Sequence, residues 1–151
     1  MSTQPALFDH HEKTIKNSIL FSGISLPALQ ALVREADLKT FSAHQQIVQE
    51  LTRVEGLHVI LEGTATVKKG PATLTTLGKG SFFGEISLFG ASFGATATIV
   101  AHENISVLLI TPKCLKEWGK KFLAEENAFL RNMCIELARR LYATSQRAVS
   151  K

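Results

Sequence analysis

The chain has 151 residues, 45% of them apolar, enough for one domain with its own core and too few for two ordinary ones. No apolar run approaches the roughly 20 residues of a membrane helix, and the polar start at residues 1–4 lacks a signal peptide's charged-then-apolar order, so a cytoplasmic protein without a transmembrane segment is expected. The net charge of +4 is lodged at the C-terminal end: residues 112–151 carry nine Lys/Arg against four Asp/Glu, whereas residues 1–111 carry eight against nine. These charges are scattered among acids without a recognition pattern, which reads as a solvated helix face and not as a nucleic-acid surface.

Residues 1–46 read as an N-terminal helical part. Ile15, Ile19 and Leu20 predict a first helix, and Ser25 is a candidate N-cap for a second that carries Leu29, Leu32, Val33 and Ala36 at helical spacing. Residues 47–111 change to short strand-like runs: 57–61, 64–68, 73–77, 97–101 and 106–110. Eight of the ten glycines fall in this stretch, as turns between many short strands require. The fold class expected is α+β, an antiparallel β-roll of jelly-roll type flanked by helices. Thr111-Pro112 then forms a cap and first-turn proline, opening two C-terminal helices over residues 112–151. Leu115, Trp118 and Phe122 share one face of the first. Leu130, Cys134, Leu137 and Leu141 form a seam on the second, beside Phe129, Met133 and Ala138, and that seam either covers the roll or meets a partner protein or a second copy.

The stretch richest in chemistry is Gly78-Lys79-Gly80-Ser81-Phe82-Phe83-Gly84-Glu85-Ile86-Ser87-Leu88-Phe89, which crowds three glycines, an aromatic pair and one carboxylate between two strand-like runs. Glycine lets backbone approach a ligand closely, and a short helix opening at Glu85 aims free N–H groups at an anion such as a phosphate. Glu85 is equally explained by the preference for acids at a helix start. Phe82, Phe83, Phe89 and Phe93 are more readily core residues than base-stacking ones. His44, His58 and His102 do not converge with an acid at metal-ligand spacing, since position 60 is Ile60, so no metal is expected. Cys114 and Cys134 have neither metal nor disulfide-framework spacing. No nucleophile motif surrounds Ser87, Ser92 or Cys114, so no catalytic residues are expected.

Taken together, these segments make the chain, over roughly residues 19–145, resemble the cyclic nucleotide-binding domain family. Leu20-Phe21-Ser22-Gly23-Ile24-Ser25 is similar to the family's approach to its sheet, and Leu57-His58-Val59-Ile60-Leu61-Glu62-Gly63 to its strand-and-turn signature. The resemblance implies that Gly84, Glu85, Ile86 and Ser87 begin a phosphate-binding cassette whose glutamate meets a ribose hydroxyl of cAMP or cGMP. It also implies an arginine for the cyclic phosphate, and that position falls on Ala95, or on Gly94 with a shift of one; Thr96 beside it offers a hydroxyl and an N–H, and a lysine such as Lys79 is a candidate replacement cation. His44 stands in place of a turn glycine, and Glu50-Leu51-Thr52 in place of a glycine-aspartate turn. Two functional expectations follow. One is a regulatory or interaction module, not an enzyme, with conventional cyclic nucleotide binding weakened or lost. The other is a sensor that binds cAMP or cGMP through Gly84 and Glu85 and moves its C-terminal helices, with Tyr142 on a helical lid. Sequence-specific DNA binding is not expected, because no length for a helix-turn-helix follows Tyr142.

Overall fold

The protein is represented by a computed structural model in which residues 4–89 and 94–149 are described. Among these residues, helix α1 (Gln4–Asn17), a 3₁₀ turn (Ile19–Phe21) and α2 (Leu26–Glu35) lead into eight strands, β1 (Asp37–Phe41), β2 (Gln46–Val48), β3 (Leu57–Glu62), β4 (Ala65–Lys69), β5 (Ala72–Leu77), β6 (Phe82–Phe83), β7 (Thr98–Ala101) and β8 (Ile105–Ile110). A second 3₁₀ turn (Glu85–Phe89) follows β6, and α3 (Pro112–Lys121) and α4 (Leu123–Val149) close the chain. The strands form two antiparallel four-stranded sheets, ordered β1-β8-β3-β6 and β2-β7-β4-β5. This is the expected α+β roll.

Its first strand was not legible. The sheet begins at Asp37, inside the stretch read as helical up to residue 46. Among the described residues β1 pairs only with β8 at the sheet edge, and four of its five residues are exposed, so no alternation of apolar and polar residues marks it.

Side-chain alternation on the first sheet builds two cores. Leu57, Val59 and Leu61 of β3 and Leu108 and Ile110 of β8 face the helices, where they meet Phe8, Ile15, Leu29, Leu32, Trp118, Phe129 and Met133. The alternate residues Ile60, Ile105 and Val107 face into the roll, against Val48, Ala65, Ile99 and Ala101 of the second sheet. Strands buried on both faces read as near-continuous apolar runs, and β3 and β8 have that form, interrupted by His58 and Ser106.

Both expected caps are made. The Ala28 N–H donates to Ser25 Oγ at 3.4 Å and the Cys114 N–H to Thr111 Oγ1 at 3.1 Å, with proline in the first turn of each helix. Trp118 ties α3 to α2 by donating its indole N–H to the Ala28 carbonyl at 2.8 Å, while its ring meets Phe129 edge-on. Asn132 of α4 donates to the Leu20 and Ser22 carbonyls, both at 2.9 Å, anchoring α4 over the first 3₁₀ turn. Both thiols are free; burial, aided by Glu35 and Asp37, pushes Cys114 up to about 11. Among the described residues no helix is long and apolar enough to cross a membrane.

Candidate functional site

The turn after β6 lies on the wall of an open cavity of about 2240 Å³. That exceeds the roughly 300–1,000 Å³ of ordinary small-molecule pockets, because the space runs from the mouth of the roll along one side of α4. Gly84, Glu85, Ile86, Ser87, Ala95 and Thr96 all line it, so the fold brings together the two halves of the expected cassette.

Their local geometry shows what each half is doing in the fold. Gly84 has φ +82°, and a Cβ there would run into the Gly56 carbonyl oxygen and lie 3.3 Å from His58 Nδ1. The packing of the roll therefore demands glycine at this position, with or without a ligand. The Ser87 hydroxyl donates to the Gly84 carbonyl at 2.6 Å and the Ser87 N–H to the same oxygen at 3.2 Å, so this hydroxyl closes the turn. The helix expected to open at Glu85 is a single short 3₁₀ turn.

At the other half, Gly94 packs so closely on the Leu51 carbonyl group that a side chain would not fit. Ala95 is fastened beside it: its N–H donates to the Thr52 carbonyl and its carbonyl accepts from the Leu51 N–H, each at 2.8 Å. The position expected for the phosphate cation thus holds a methyl group on a backbone whose N–H is already paired. Cations do reach the cavity from elsewhere. Lys69 on β4 donates from Nζ to the Thr96 carbonyl at 3.0 Å and lies 3.4 Å from Glu50. Arg53, Arg139, Arg140 and Arg147 also line the wall, whereas Lys79, the replacement expected from sequence, does not belong to it.

Helix α4 is latched to the strand that feeds the turn. Glu136, buried on the helix, accepts from Arg139 at 2.6 and 2.8 Å and from Arg140 Nε at 3.1 Å. Arg140 continues across to the roll, donating to Ser81 Oγ at 3.2 Å and to the Phe82 carbonyl at 3.0 Å, with its guanidinium 4.2 Å above the Phe82 ring. None of these cavity arginines was legible as a site residue in the sequence, because Arg53 lies in a loop without a motif and Arg139, Arg140 and Arg147 lie on a helix face that reads as solvated. The only advance sign was the excess of basic residues after residue 112.

The seam on α4 divides. The line buried against the protein is Phe129, Met133 and Glu136; Leu130 and Leu137 are half-buried beside it, and Cys134 and Leu141 are exposed. Tyr142 is 67% exposed and stays off the cavity wall. Of the aromatic residues, Phe82 belongs to the helical core and does not close the roll, while Phe83 lines the cavity and stacks on His58 at 4.8 Å. Phe89 is exposed, and Phe93 lies outside the described residues, as does Ser92. His58 donates from Nδ1 to the Gly56 carbonyl at 2.9 Å; burial pushes its pKa below the ordinary imidazole value, against the opposing pull of that carbonyl and Glu55. His44, His58 and His102 do not converge. The described residues hold instead one histidine-carboxylate group that the sequence reading passed over, His10, His11 and Glu62.

Comparison with known proteins agrees with this architecture. Residues 38–121 match the profile of the cyclic nucleotide-binding domain. The chain is similar to the structure of a cyclic nucleotide-binding domain from Methylobacillus flagellatus, with TM-score 0.82 and 19% identity over 95% of this chain and 83% of that one. It is also similar to the Thermus thermophilus catabolite activator protein, with TM-score 0.74 and 20% identity over 87% of this chain, and it spans 62% of that protein's length. A third likeness, with TM-score 0.70 and 23% identity, is to the N-terminal domain of a Streptomyces coelicolor transcriptional regulator, covering 89% of this chain and 94% of that one. These identities speak for the fold, and the profile match, which spans more than half of the chain, shows that it belongs to the cyclic nucleotide-binding domain family.

Proposed function

We propose that the chain is a non-enzymatic regulatory module in which the conventional cyclic nucleotide contact is weakened and whose output runs through α4. The observation that supports this reading is the pairing of Ala95 with Leu51 and Thr52, which puts a closed, uncharged backbone where the resemblance leads one to look for arginine. Loss of one partner from a buried charge pair costs roughly 2–5 kcal/mol, or about thirty- to several-thousand-fold in affinity. A micromolar nucleotide site weakened by that factor would need about thirty micromolar to millimolar ligand to fill. The exposed Cys134 and Leu141 on α4, with half-buried Leu130 and Leu137 beside them, are the surface offered to a partner protein or a second copy.

A second reading has its own support in Lys69, a cation brought to the Thr96 end of the cavity by β4. Here cAMP or cGMP would bind through Gly84, Glu85 and Thr96 with Lys69 facing the phosphate, and the Arg140 latch would pass the event to α4. Calorimetric titration with each nucleotide up to the millimolar range, with sedimentation velocity on the same samples, separates the two. No saturation at micromolar ligand, together with self-association that Leu141→Glu abolishes, is expected from the first. Saturation at micromolar ligand, weakened by Glu85→Ala and by Lys69→Ala, would replace it with the second.

A further inference from the structure

We propose that His10, His11 and Glu62 form a site for a divalent transition metal of the zinc, nickel or copper class that clamps α1 to the first sheet. One potential ligand atom from each of the three residues lies within 4.8 Å of the others. His10 Nε2 is 3.2 Å from Glu62 Oε1 and His11 Nδ1 is 4.0 Å from the same oxygen. Donors bonded tetrahedrally at the 2.0–2.1 Å usual for zinc stand about 3.3 Å apart, so the group needs only small side-chain adjustments to close on an ion.

Adjacent helical residues point about 100° apart, which ordinarily keeps neighbouring histidines from sharing a ligand. Here the two rings meet at 4.5 Å because they use different edges: His10 presents its outer nitrogen, Nε2, and His11 the nitrogen nearer its own backbone, Nδ1. The carboxylate comes to them through a register shift between Ile60 and Glu62 in the pairing of β3 with β8, the kind of bulge that re-aims a side chain. The site has a fixed side and an open side. His11 is 7% exposed and held by packing, whereas the side chains of His10 and Glu62 are 70% and 50% exposed, leaving room for water as a fourth ligand. Two imidazoles with one carboxylate suit zinc, nickel or copper and not magnesium or calcium, which favour oxygen donors throughout. A metal binds neutral imidazole, so His10 would carry its ring proton on Nδ1 while Nε2 and the Glu62 carboxylate take the ion.

The test uses the full chain without a histidine tag, in a Cys134→Ser background that removes the exposed thiolate, and titrates zinc chloride and nickel chloride alone. One saturable site per chain and a rise in melting temperature are expected. His10→Ala and Glu62→Gln alter exposed side chains and leave the core intact. Loss of an outer-shell partner alone weakens metal sites roughly 10–100-fold, so each variant is expected to bind at least about tenfold more weakly while melting normally without metal. No saturable binding to the parent chain, or binding equally strong in both folded variants, overturns the proposal.

Discussion

Leu51 and His44 hold backbone that their side chains resist. Both have φ +70°, and they are the non-glycine residues with positive φ among those described. They are also the two places where the sequence departs from an expected turn glycine. Each conformation is enforced by a hydrogen bond, from the His44 N–H to the Ala101 carbonyl at 2.7 Å and from the Leu51 N–H to the Ala95 carbonyl at 2.8 Å. Left-handed backbone costs a residue bearing Cβ roughly 1–2 kcal/mol, and glycine's greater freedom when unfolded takes back about 0.4–1 kcal/mol of the relief. Leu51 is 78% exposed, so its removal forfeits little packing. Leu51→Gly is expected to stabilise the fold by roughly 0.5–1 kcal/mol in urea denaturation. A destabilised variant would show that the leucine side chain makes a contact worth more than the strain it imposes.

At the scale of elements, α4 carries the contact that joins helix to cavity. Its first half is bound by Phe129, Met133 and Asn132, and the half after Glu136 is exposed except at the latch residues and Leu137. Arg140 is 29% exposed and bonds residues 81 and 82, immediately before the Gly84 turn. Hydrogen bonds involving a charged group contribute roughly 1.5–3 kcal/mol each when shielded, and partial exposure discounts them. Arg140→Ala is expected to cost about 1–3 kcal/mol, and amide exchange should quicken after Glu136 before it changes in β3 or β8. Uniformly faster exchange throughout the chain would mean that the latch supports the whole domain and not this end of α4.

Across the whole molecule, the two cores share the first sheet, and His58 is the ionisable group placed inside the inner one. It stacks on Phe83 and backs the Gly84 turn, with Glu55 and Lys39 the charged groups acting on it. Because burial lowers its pKa below the ordinary 6.5, the unfolded chain takes up this proton first on acidification. Stability from neutral His58 is therefore complete above about pH 6.5, falls as pH drops below it, and stops falling once the folded-state value is passed. His58→Gln keeps a donor for the Gly56 carbonyl and removes the titration. Thermal melts from about pH 7.5 to 5 are expected to show a smaller decline for this variant than for the parent; equal declines would assign the acid sensitivity to other groups.

The elements legible in the chain were those set by interactions a few residues long. Ser25 and Thr111 cap the helices that follow them, and β3 and β8 declare themselves by near-continuous apolar runs. The turn through Gly84 was legible as a motif, although the sequence could not distinguish a glycine kept for a ligand from one kept for the Gly56 carbonyl. β1 was hidden because an exposed edge strand carries no burial pattern. The Arg140 latch, the Lys69 contact with Thr96 and the meeting of His10 and His11 with Glu62 join residues 58, 27 and about 50 positions apart. The local turns, caps and buried faces thus follow from neighbouring residues, which set their own backbone, whereas the meeting of distant charges depends on how the sheets twist and where α4 lies across them.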